Sequence, residues 1–314
     1  MTTLQEFLKK SGCEADLAKL IGEVIPSAVR EIAEAIKSQK GELAGSQNIY
    51  GEKQLKLDVQ SNQIAMEAFK ESGLVNLMAS EELDEEVEAK KSAPFTVVFD
   101  PLDGSSLVDV NLAVGSIFGI YKAGSPIGKT GDDQLAACFA VYGPRTTFVI
   151  TCKKGTHEFR LESDDQFNLT NENLHVGEDS KHFAPGNLRA AAECEDYLKL
   201  TNEWIKAGLT LRYSGGMVPD LNHILLKGDG IFTYPAYSKT PEGKLRLLFE
   251  CAPMALLMEN AGGSALDGEG ARILDKRITE LHKRTPIFIG SKNTVKRAVE
   301  ALRKSKIMVF SALP

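Results

Sequence analysis

The stretch from Val97 to Tyr121, VVFDPLDGSSLVDVNLAVGSIFGIY, limits what the chain can become more than any other. Its opening run at residues 96–99 is β-branched and aromatic, which predicts a buried strand. Asp100 and Asp103 follow around a Pro-Leu turn. Pro101 fixes its own φ and keeps Asp100 out of the helical region. Two carboxylates so close at a strand end can face one cation. Gly104, Ser105 and Ser106 come next, small residues whose backbone N–H groups can approach an anion. A cation site beside an anion cradle points to phosphate chemistry. Each residue alone also fits a plain connecting turn; the six in this order are far less at home in one.

Further carboxylates recur where elements end. Glu52 precedes the Lys56-Leu57-Asp58 run, and Asp58 is placed to cap a helix. Glu81 and Glu82 close a strand-like run. On their own they read as the head of a solvated acidic stretch with Asp84, Glu85 and Glu86, and only the strand-end position and the Asp100/Asp103 pair lift them above that. Glu250 lies far downstream in Leu247-Leu248-Phe249-Glu250, where an unpaired charge is costly. Oxygen ligands without His or Cys imply a hard ion, Mg²⁺ or Mn²⁺. Such ions gather roughly 4 Å apart for in-line phosphoryl displacement. The basic side is Arg212-Tyr213, Lys239, Lys244 and Arg246, interleaved with Tyr234 and Tyr237. Guanidinium and ammonium groups there can hold a second phosphate, although each alone fits a surface charge. Apolar neighbours at Leu245, Leu247 and Leu248 make the surface reading weakest for Arg246.

A net charge of -6 disfavours nucleic acid or an anionic membrane as the main partner. The five cysteines show no zinc or Cys-x-x-Cys spacing, which suits a reducing compartment. The first residues lack a signal-peptide apolar core, and no apolar run is long enough for a membrane span. A cytoplasmic protein is expected. Gly124-Ser-Pro-Ile-Gly128-Lys129-Thr130 imitates a nucleotide-binding loop, but three residues rather than four separate its glycines, so a turn is expected. Periodicity predicts helices at residues 16–38, bent at Pro26, and at 59–72, 197–207, 218–227, 245–261 and 294–304. Strands are expected at 74–79, 96–99, 136–142, 146–152, 157–161, 231–234 and 286–290. Residues 168–186 read as a polar loop joining two halves, 1–167 and 187–314. The mixed order of elements, without a regular βαβ rhythm, favours layered sheets and helices over a barrel.

Asp100-Pro-Leu-Asp103-Gly-Ser-Ser106 resembles the signature of the lithium-sensitive, metal-dependent phosphatases, the superfamily that includes the inositol monophosphatases. Lys244-Leu-Arg-Leu-Leu-Phe-Glu250 and Arg212-Tyr-Ser-Gly-Gly-Met217 narrow the resemblance to the sugar bisphosphatases of the fructose-1,6-bisphosphatase family. It spans residues 6–291. The resemblance implies a layered αβαβα fold with two mixed sheets between helical layers. It implies a phosphoric monoester hydrolase acting on a sugar bisphosphate. Residues 142–147, 155–159, 184–190 and 210–220 look more like the branch acting on the 1-phosphate of sedoheptulose 1,7-bisphosphate. Tyr234-Pro-Ala and Lys239-Thr-Pro-Glu-Gly-Lys244 look more like the branch acting on fructose 1,6-bisphosphate, so dual activity is an alternative. A non-catalytic sugar-phosphate sensor is the rival of another class.

By the same resemblance two or three Mg²⁺ or Mn²⁺ ions would be held by Glu52, Glu81, Asp100, the Leu102 carbonyl, Asp103 and Glu250. Asp58 and Glu82 would take the proton of the attacking water, with Asp103 also in the catalytic set. Gly104, Ser105 and Ser106 would hold the 1-phosphate. Asn187, Arg189, Tyr213, Tyr234 and Lys244 would hold the distal phosphate end. Met217 and Arg246 would line the sugar. Arg212 would be donated across a subunit interface, in a homodimer or homotetramer. Ala190, standing where the fructose enzymes carry Tyr, is expected to open room for a seventh carbon. The nucleotide loop of the fructose enzymes and the plastid redox cysteines look absent, so neither AMP inhibition nor thiol activation is expected.

Overall fold

The run Phe95–Asp103 is buried along its whole length, as a strand covered on both faces must be. It lies inside an eight-stranded mixed sheet. In spatial order the strands are Phe167–Asn171, His157–Leu161, Thr146–Thr151, Ala136–Tyr142, Val114–Lys122, Phe95–Asp103, Val75–Ser80 and Val87–Glu88. Phe95–Asp103 runs parallel to Val75–Ser80; the other pairs in this sheet are antiparallel. A computed structural model describes residues 2–38, 43–47 and 53–311. Glu52 and the expected loop at 40–50 therefore lie wholly or largely outside the described residues.

A second sheet has five strands, ordered Thr210–Leu211, His182–Pro185, Ile231–Tyr234, Ile287–Gly290 and Ser264–Leu266. Alternation of side chains divides the interior into three cores. Val97 and Phe99 face the outer helices Ile25–Ser38 and Lys56–Ser72. Val98 faces the opposite way, into the core between the sheets, where Met217–Lys227 and Ala252–Asn260 lie. Phe183, Ile231 and Phe288 face Glu195–Lys206 and Lys292–Ser311. Helix, sheet, helix, sheet, helix is the resulting layer order, and the expected αβαβα architecture is the observed one.

Four departures from the sequence reading have local causes. The helix expected over 16–38 is divided: Ala15–Lys19, a π-helical turn Leu20–Val24, then Ile25–Ser38. The wide turn precedes Pro26, which has no N–H to donate and whose ring crowds the turn before it. The polar segment 168–186 is not wholly a loop. Phe167–Asn171 is an edge strand of the large sheet, and His182–Pro185 pairs in parallel with Ile231–Tyr234. The helix expected from 245 starts later. Leu247 donates its N–H to the Lys283 carbonyl and Thr285 donates to that of Leu245, so these residues pair with a distant segment before the π-helical turn Leu247–Cys251 begins. Finally, the strand expected to stop at Phe99 continues through Asp103.

Candidate active site

The continuation of that strand explains how its two aspartates cooperate. On a regular strand residues three apart face opposite sides. Here Asp100 pairs with Ile117 and Asp103 with Gly115, three steps on one strand against two on the other. The bulge turns both carboxylates into one cavity. Asp100 Oδ1 accepts the Leu102 N–H at 2.9 Å. The Ser116 hydroxyl donates to the Pro101 carbonyl at 2.7 Å and sits 2.8 Å from the Tyr142 hydroxyl, which fixes the turn from behind.

Asp103 is held from the other side of the cavity. It accepts the N–H of Val218 at 2.7 Å and of Met217 at 3.3 Å, at the N-terminus of Met217–Lys227. That helix approaches closely because residue 115 is glycine. A Cβ there would stand 2.3 Å from Val218 Cγ1 and 2.5 Å from the Ala140 carbonyl oxygen. Gly104, at φ +78°, ends the strand and opens the short 3₁₀ turn Ser105–Val110. Positive φ suits glycine, and it lets Ser105 and Ser106 follow directly on the cavity edge.

Glu250 reaches the same place from the π-helical turn Leu247–Cys251, an irregularity common at functional positions. Oxygens of Glu81, Asp100 and Glu250 lie within 4.8 Å of one another. Arg246 is their built-in counter-charge: Nη1 lies 2.5 Å from Glu81 Oε1, and its backbone N–H donates to Glu250 Oε2 at 2.5 Å. Burial raises the Asp100 carboxyl well above its ordinary value, reinforced by the charges of Glu81, Asp103 and Glu250. Burial pushes Asp103 up to about 6 against the pull of the Val218 and Met217 N–H groups. Glu250 is pushed by burial up to about 7 despite Arg246. An all-oxygen cluster in which Asp100, Asp103 and Glu250 are buried and resist ionisation fits a hard divalent cation.

Around it a cavity of about 280 Å³ collects fifteen of the expected residues: Asp58, Glu81, Glu82, Asp100, Leu102, Asp103, Gly104, Ser105, Ser106, Tyr213, Met217, Tyr234, Lys244, Arg246 and Glu250. Asp58 is buried in the first turn of Lys56–Ser72. A neighbouring cavity of about 860 Å³ holds Asn187 and Arg189, with Lys239 and Arg284. Tyr213, Gly215, Tyr234 and Lys244 line both cavities and form the wall between them. The Tyr213 hydroxyl donates to the Gly186 carbonyl at 2.9 Å, and the Asn187 amide donates to the Pro235 carbonyl at 3.0 Å.

Three further residues lie as follows. Arg212 lines neither cavity, and its Nη1 donates to the Leu211 carbonyl at 2.8 Å. Ala190 does not open the sugar site: it is wholly buried with Phe183 and Tyr197 in the core outside the second sheet. Arg284 was not anticipated. Its Nη1 donates to the Lys244 carbonyl at 2.5 Å, through the pairing of residues 244–247 with 283–285. The Lys283-Arg284 pair just before a strand was the only sequence sign of it.

Comparison with known proteins places the chain in a family. The model for "Fructose-1-6-bisphosphatase, N-terminal domain" matches residues 2–172 and that for the C-terminal domain matches residues 176–303. The class 1 fructose-1,6-bisphosphatase of Geobacter sulfurreducens is 44% identical over 303 residues, covering 95% of this chain and 94% of that protein. The chloroplastic sedoheptulose-1,7-bisphosphatase of Triticum aestivum is 42% identical over 314 residues, 99% of this chain and 79% of that one. The holo crystal structure of Leishmania major fructose-1,6-bisphosphatase superposes with a TM-score of 0.89 at 33% identity, covering 96% and 99% of the two chains.

Proposed function

The chain belongs to the fructose-1,6-bisphosphatase family, and from that premise we propose that it hydrolyses the 1-phosphate of sedoheptulose 1,7-bisphosphate to sedoheptulose 7-phosphate and inorganic phosphate, using Mg²⁺. The observation that carries a bisphosphate substrate is the pair of adjoining cavities, one acidic and one basic, divided only by Tyr213, Gly215, Tyr234 and Lys244. The acidic cavity, whose carboxylates would hold the cations, would take the phosphate that is cleaved, and the basic cavity would take the phosphate that stays. Support for the seven-carbon substrate is the resemblance of residues 142–147, 155–159 and 210–220 to the sedoheptulose branch, together with the Triticum aestivum relative. A fructose 1,6-bisphosphate substrate is the second reading, favoured by the names of the Geobacter and Leishmania relatives.

In this reading Glu81, Asp100, the Leu102 carbonyl, Asp103 and Glu250 hold the ions, with Glu52 beyond the described residues. Bound divalent cations supply Lewis acidity toward the phosphoryl oxygens. Asp58 and Glu82 accept the proton of the attacking water. Ser105 and Ser106 hold the transferring group with their N–H and hydroxyl groups, beside Gly104. Asn187, Arg189, Tyr213, Tyr234 and Lys244 fix the distal end, and Met217 and Arg246 border the sugar. Arg212, which lines neither cavity, serves a neighbouring subunit of a homodimer or homotetramer in the cytoplasm.

Measuring kcat/KM on both bisphosphates with Mg²⁺ decides the substrate. A higher value for sedoheptulose 1,7-bisphosphate is expected, and a preference for fructose 1,6-bisphosphate reverses the assignment. Tight binding without turnover would instead favour a sensor.

A further inference from the structure

Cys13 and Cys152 are far apart in sequence and meet in space. Cys13 lies in the turn between Leu4–Lys10 and Ala15–Lys19, where Gly12 at φ +71° reverses the chain and Cys13 donates its N–H to the Leu8 carbonyl. Cys152 immediately follows the strand Thr146–Thr151. Both thiols are free, both are partly exposed, and both line one small cavity of about 190 Å³. Each thiol lies near enough to the other to shift its titration. The surrounding backbone is well fixed. Phe7 packs on His157 at 4.5 Å and on Phe159 at 5.4 Å, the Leu169 N–H donates to the Thr2 carbonyl, and the Thr151 hydroxyl donates to the Gly155 carbonyl at 2.7 Å.

We propose that Cys13 and Cys152 are a reversible dithiol–disulfide pair that staples the N-terminal helices to the eight-stranded sheet. The oxidant class is a small-molecule disulfide. The Cys13 thiolate attacks one of its sulfurs, its disulfide bond breaks, and one thiol leaves, giving a mixed disulfide at Cys13. The Cys152 sulfur then attacks the Cys13 sulfur and expels the second thiol. Two protein thiols are oxidised by two electrons, one external disulfide is reduced to two thiols, and the protons of the protein thiols end on the products. Cys13 suits the first attack because the Cys152 thiol holds it below its ordinary pKa, while the same contact and burial raise Cys152.

The closure matters because the stapled turn begins the helical layer that continues through Ile25–Ser38, which packs on Lys56–Ser72, bearer of Asp58. A cross-link across so long a loop restricts the unfolded chain. Cys138 is the nearest competitor, two positions from Cys152 by strand pairing, but it is buried and closed to an oxidant.

The test equilibrates the full chain with oxidised glutathione, then alkylates it under denaturing conditions for intact mass and peptide mapping. Three of the five cysteines are expected to remain alkylatable, with one peptide pair joined through Cys13 and Cys152. The oxidised form is expected to melt roughly 5–10 °C higher, reversibly with dithiothreitol. Cys152→Ser is expected to trap a glutathione adduct at Cys13, and Cys13→Ser to abolish both the bridge and the melting shift. Five alkylated thiols, a bridge through Cys138, or a bridge without any melting rise overturns the proposal. Should either variant fail to fold, the wild-type mass map alone decides.

Discussion

Asp103 does two jobs with one carboxylate. It faces the acidic cluster and it receives the first N–H groups of Met217–Lys227. Asp103→Asn keeps one acceptor and removes the charge. It is expected to lower kcat by at least about a hundredfold with a smaller change in KM, measured by steady-state hydrolysis; an unchanged kcat refutes its place in the chemistry. Arg246 balances Glu81 across a buried 2.5 Å contact. Arg246→Met removes that guanidinium from the cluster. In chelator, urea unfolding is expected to show a loss of about 3–5 kcal/mol, and added Mg²⁺ to recover part of it. Residue-level reading of the sequence worked where chemistry was concentrated in a motif: Asp100, Asp103 and Glu250 converge as anticipated. At Ala190 it failed. A missing ring was read as space in a site, yet the residue packs beneath Tyr197 and Phe183, and side-chain size in a sequence does not say which side of a turn it faces.

At the scale of elements, the strand bulge and the approaching helix are one device. Gly115 lets Val218 seat against the sheet, and that seating delivers two N–H groups to Asp103. Gly115→Ala is expected to destabilise the protein by about 1–3 kcal/mol through overpacking and to reduce kcat at least about tenfold by moving the helix, checked by thermal melts beside kinetics. A stable variant with full kcat would separate the helix from catalysis. Apolar strands such as Ala136–Tyr142 were legible because period and composition agree. The strands Phe167–Asn171 and His182–Pro185 were not, since backbone pairing at a sheet edge or beside a parallel neighbour needs no apolar signature. The bulge itself was invisible, because register is a property of two strands and the sequence displays one at a time.

Across the whole molecule, the acidic cavity belongs mainly to the large sheet and the basic cavity to the second, so the layered fold sets the distance between the two cavities. Arg284 reaches the basic cavity by pairing across forty residues of chain. Arg284→Ala is expected to raise KM for a bisphosphate about tenfold or more with little change in kcat, the pattern for a contact with the phosphate that is not cleaved; a fall in kcat alone would place it elsewhere. No helix among the described residues is long and apolar enough to cross a membrane. The wall shared by Tyr213, Gly215, Tyr234 and Lys244 carries a lesson for redesign. A party wall cannot be moved for one tenant: altering it to admit a longer or shorter sugar also disturbs the acidic cavity behind it. Substrate length is therefore adjustable chiefly from the outer rim, at Arg189, Lys239 and Arg284, and a library confined to those three positions should shift preference at the smallest cost in turnover.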